Sequence, residues 1–83
     1  MRDRILEILE QARKASQQPG AYAFLPEIIE SLEAMLSNLD SPRERRERMA
    51  GALGRLVTEN YLFSESPLGT AILALANSFA ETG

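Results

Sequence analysis

The sequence predicts an all-α fold, a compact four-helix bundle running up-down-up-down, and three observations carry that prediction. Leucine, isoleucine, alanine and methionine recur at three- and four-residue spacing in four separate stretches, the periodicity of helices with one buried face. Proline, glycine and serine divide the stretches at Pro19-Gly20, Ser41-Pro42 and Ser66-Pro67, so the connections are short. Finally, 83 residues with 45% hydrophobic and 25% charged side chains suit one core, which gives a single domain over 1–83. Short turns between amphipathic helices favour antiparallel neighbours. The competing architecture is a pair of helical hairpins that complete one core only in a homodimer.

The first helix is expected at about 2–17, with Ile5, Ile8, Leu9, Ala12 and Ala15 on one face and Glu7, Glu10, Gln11 and Lys14 opposite. Pro19-Gly20 stops it, since proline lacks a backbone donor and glycine tolerates positive φ. A second helix, 24–39, carries Leu25, Ile28, Ile29, Leu32, Met35, Leu36 and Leu39 as its apolar stripe, with Pro26 in the first turn. Ser41-Pro42-Arg43-Glu44 reads as a serine cap, a proline at the first helical position and a capping box, and opens a third helix over 42–61. Its expected face is Met49, Ala52, Leu53, Leu56, Val57 and Asn60. Ser66-Pro67 repeats the start signal for a fourth helix, 67–81, striped by Leu68, Ala71, Ile72, Leu75, Ala76 and Phe79.

Composition narrows the chemistry. The chain has no histidine, cysteine or tryptophan and one lysine, Lys14, so the usual nucleophiles, general bases and soft metal ligands are missing. Neither a phosphate loop nor a dinucleotide fingerprint is present. Glu27, Glu30 and Glu33 are spaced like carboxylate ligands, but the imidazoles that complete such sites in helical bundles are absent and two of the three face away from the stripe. The expectation is no enzyme, no cofactor and no metal. No run approaches the ~20 apolar residues of a membrane span. An acid at Asp3 and another at Glu7 interrupt any signal core, which makes the cytoplasm the expected compartment. Eight arginines against one lysine suggest a bacterial source.

Two surfaces stand out. Arg43, Arg45, Arg46 and Arg48 crowd a helix start, and Arg43 to Arg55 holds five arginines and two glutamates, a local +3 in a chain of net charge −3. Such a cluster suits an acidic partner or an anionic ligand. A pI near 4.9 disfavours nucleic acid, and Glu44 and Glu47 offer ordinary surface pairing instead. The acidic face of helix two is a second conceivable partner for this cluster, in another copy of the chain. Tyr22, Phe24, Leu62 and Phe63 lie in predicted turns, and Leu73 lies off its helix stripe, so these five form a candidate interface. Alternatively, the loop aromatics fold back to close the bundle ends. Gly51 and Gly54, inside a predicted helix, imply close approach by a neighbouring helix or a partner. Asn60 caps a helix end or fixes register. Together these features predict a non-enzymatic helical interaction module, a homodimer or a subunit with another protein, acting through an apolar helix face with an Arg/Glu rim. The alternative is a small regulator that binds nucleic acid or an anionic ligand through Arg43–Arg48.

Overall fold

In the computed structural model, which describes residues 1–81, five helices follow one another: α1 (Arg2–Ser16), α2 (Leu25–Leu36), α3 (Arg43–Thr58), the single turn α4 (Tyr61–Ser64) and α5 (Pro67–Glu81). The fold is an all-α bundle of the four long helices. α1 packs on α2 and α5, and α3 packs on α2 and α5, with α1–α2 and α3–α5 the most intimate pairs. The long helices therefore close a ring in chain order. Residues 82–83, the end of the predicted domain, lie outside the described residues.

Each long helix of the single chain contributes side chains with no more than 1% exposure, among them Ile5, Ile8, Ile28, Leu32, Leu53, Val57, Ile72 and Phe79. The core thus closes without a second copy, contrary to the two-hairpin architecture. The radius of gyration, 11.9 Å, equals the ~12 Å expected of a compact domain of this length.

Helix ends are set by side chains more than by the expected serine-proline pairs. α2 stops at Leu36 rather than 39, because Asn38 turns back and donates from Nδ2 to the Ala34 carbonyl at 2.7 Å. Ser41 makes no cap. Its hydroxyl donates to Asn38 Oδ1 at 2.8 Å, Pro42 occupies the cap position, and the expected capping box does not form. Ser66 behaves as expected: its Oγ accepts from the Gly69 amide at 3.0 Å and its carbonyl from the Thr70 amide at 2.9 Å. Gly20 takes φ +77°, the left-handed conformation that its turn demands.

The third predicted helix is divided. Asn60 leaves helical geometry at φ −112°, ψ 84°, and its Nδ2 donates to the Leu56 carbonyl at 3.0 Å, closing α3 as a capping side chain. α4 follows as a separate turn. The buried face of α3 is also rotated from the expected one. It runs Arg46, Ala50, Leu53, Val57, while Ala52 is exposed and Met49 and Leu56 are half-buried. An arginine occupying a core position displaced the apolar count by a fraction of a turn.

The glycines of α3 differ from expectation as well. Beyond the local helix backbone, no described atom lies within 4 Å of a Cβ added at Gly51, and at Gly54 only Leu73 Cδ2 does, at 4.0 Å. No other described element of the chain approaches Gly51. Since glycine in an open helix interior is up to about 1 kcal/mol worse than alanine, Gly51→Ala is expected to stabilise the monomeric chain by about 0.5–1 kcal/mol in urea unfolding at high dilution. A loss of stability would contradict the open environment. Among the described residues, no helix is long and apolar enough to cross a membrane.

Candidate interaction surfaces

At one end of the bundle the α1–α2 turn meets α4. Tyr22, Phe24 and Phe63 form a triangle with ring centroids 5.1–5.4 Å apart, two of the three pairs edge to face. Phe63 is buried, Phe24 half-buried and Tyr22 exposed. Of the four loop residues proposed as an interface, Phe63 and Phe24 instead close the end of the core. Leu62 is different. A one-turn helix that drives Phe63 inward must turn its neighbours outward, and Leu62 is 75% exposed with Tyr61 at 68%.

This turn is tied at several points. The Ser64 amide donates to the Asn60 carbonyl at 2.9 Å, and its hydroxyl to the Tyr61 carbonyl at 2.7 Å. The Phe63 carbonyl accepts from Ser66 twice, from the amide at 3.0 Å and from Oγ at 2.6 Å. α5 then passes so close that a Cβ on Gly69 would collide with that same carbonyl oxygen, 2.8 Å from its carbon and 3.0 Å from Ser64 Cα. A cavity of about 510 Å³ opens beside Tyr22 and Phe63, and a smaller one of about 280 Å³ lies between Tyr22 and α4. Exposed Glu59 and Glu65 flank the turn. Tyr61 was absent from the sequence-derived interface because the residue counts as the end of a continuous third helix until Asn60 is seen to break it.

Leu73 lies apart from this end. It is half-buried on α5 and lines a groove of about 360 Å³ between α3 and α5, with Glu47 and Arg55 also on its walls.

The arginine cluster does not assemble as one surface. Arg43 Nε pairs with Glu47 Oε1 at 2.9 Å. Arg46 is buried, at 5% exposure; its Nε donates to the Ser41 carbonyl at 3.0 Å and its Nη1 to the Phe79 carbonyl at 3.2 Å. It holds the α2–α3 connection and the last turn of α5 to the first turns of α3, and no partner can reach it. Arg45 and Arg48 are exposed together, beside Met49 and Ala52, while exposed Arg43 is engaged with Glu47. The signal for Arg46 was present in its spacing from Ala50, Leu53 and Val57, which continues the core stripe to its start.

On α2, Glu33 Oε2 accepts from Arg13 Nη2 of α1 at 2.9 Å, while Glu27 and Glu30 face solvent. Among the described residues no three acidic side chains group as metal ligands, and every aspartate and glutamate is exposed. No family model matches the chain, and no curated protein or solved structure does.

Proposed function

We propose that the protein is a non-enzymatic interaction module of the cytoplasm, which binds another protein through the end of the bundle formed by α4 and Tyr22. One observation carries this reading: two adjacent apolar side chains, Tyr61 and Leu62, are held outward on a turn anchored by buried Phe63 and closed by serine hydrogen bonds. Exposed apolar groups on a rigid platform lose little entropy on binding, and aromatic residues are enriched at interface centres. Glu59 and Glu65 at the rim favour a partner that flanks its own apolar side chains with lysine or arginine. This reading is preferred to an anionic-ligand regulator because Arg46 is committed to backbone carbonyls and Arg43 to Glu47.

The test is site-specific photo-crosslinking in the cells that make the protein. A probe at position 62 is expected to trap one defined protein, a probe at exposed Glu10 on α1 is not, and Tyr61→Glu is expected to abolish the trapped species. Leu62→Glu should leave stability within about 0.5 kcal/mol, since the Leu62 side chain is itself already solvated, at 75% exposure. Equal trapping at both positions, or none at position 62, would rule the surface out.

A further inference from the structure

Gly51 is the glycine that the bundle leaves unused. It stands exposed in the middle of α3, on the wall of the α3–α5 groove, and beyond its own turns of helix no described atom comes within 4 Å of a Cβ placed there. The groove is shaped by Gly54, Leu73 and Ala80, and it carries one charge of each sign, Glu47 and Arg55. Each of these charges is four residues from Gly51, so on a helix of 3.6 residues per turn the three positions fall on one line along one face.

That placement has a consequence under symmetry. A two-fold axis perpendicular to α3 at Gly51 lays a reversed copy of the helix against the first. Glu47 of each copy then meets Arg55 of the other, twice, and the residue on the axis meets itself. We propose that this groove is the self-association surface of the protein and that its occupant is a second copy, α3 packed antiparallel on α3 across Gly51, with two reciprocal Glu47–Arg55 pairs. Glycine is the residue type that lets two backbones approach at the axis. Arg55 makes no ion pair among the described residues, and Glu47 is held only by Arg43 in a solvated pair, the side chains 64% and 53% exposed. Re-pairing across the axis therefore sacrifices little. The surface is separate from the Tyr61–Leu62 end, and the inference does not rest on that reading.

Because the charges are arranged by symmetry, a swap tests the geometry directly. Sedimentation equilibrium at low salt would compare the whole chain as wild type, Glu47→Arg, Arg55→Glu and the double variant. The wild type is expected to form a reversible dimer. Either single change sets like charges opposite each other at both pairs and should raise the dissociation constant at least about tenfold. The double variant restores unlike pairs and should return to within about threefold of wild type. Within one chain the two positions are ~12 Å apart along the helix, so the rescue cannot be intramolecular. Both side chains are exposed, and an unchanged melting temperature would confirm that each variant folds. A wild type that stays monomeric at millimolar concentration overturns the proposal. So does a dimer of equal strength in all four proteins, or one that survives the charge changes and is lost in Leu62→Glu.

Discussion

Gly69→Ala is expected to destabilise the protein by about 3 kcal/mol or more and to lower its melting temperature by on the order of 15 °C. Helix propensity alone points the other way, because alanine is the better helix former by up to ~1 kcal/mol. Packing decides the sign. The added methyl would strike the Phe63 carbonyl oxygen and crowd Ser64 Cα, and these are backbone atoms that cannot swing aside as a side-chain tip would. The carbonyl is further held by two bonds from Ser66, so relief would require α4 and α5 to separate. Urea denaturation of Gly69→Ala beside Gly51→Ala makes the comparison sharp: one chemical change at two helical glycines, with opposite outcomes. A neutral or stabilising Gly69→Ala would mean that α5 does not approach α4 as closely as described.

The second large effect is at Arg46. Arg46→Ala removes the donor to two backbone carbonyls and the buried aliphatic stem, and is expected to lose about 2–3 kcal/mol. Arg46→Glu should lose about 3–5 kcal/mol, because a buried carboxylate would face two carbonyl oxygens and the negative end of the α5 dipole. Total stability for a chain of this length is only ~4–12 kcal/mol, so the glutamate variant is expected to lose a large share of it and to melt well below the wild type. Arg46→Lys keeps the charge, but a single ammonium cannot span Ser41 and Phe79, which gives an intermediate loss. By contrast, Arg43→Ala breaks an exposed pair and should change stability by about 0.3–0.5 kcal/mol. Circular dichroism melts of the four variants would establish the order. A folded, fully stable Arg46→Glu would show that the side chain is not in the interior.

These two residues also mark where sequence reading stopped. The stripes of α1, α2 and α5 were legible because every buried position on them is apolar or, at Gly69, has no side chain to misread. α3 was displaced because hydrophobicity counts an arginine as solvated, whereas a guanidinium with two carbonyl acceptors and a long apolar stem can occupy a core position. Gly69 was invisible for a different reason. Its role depends on the path of α4, and α4 exists only because Asn60 returns its side chain to Leu56, a choice between local hydrogen bonds that periodicity does not encode. The candidate surfaces followed the same division: Leu62 was legible as an apolar residue in a turn, while Tyr61 and the burial of Arg46 required the fold.

The hydrogen bond between Arg46 and Phe79 joins positions 33 apart in the chain, and this orders events during synthesis. While the ribosome is still translating α5, the nascent α1–α3 segment carries a cation destined for the interior with one of its two acceptors not yet made. The start of α3 therefore has its full set of hydrogen bonds only once the last turn of α5 is in place. A stalled chain lacking that turn would present its unsealed core to chaperones and proteases.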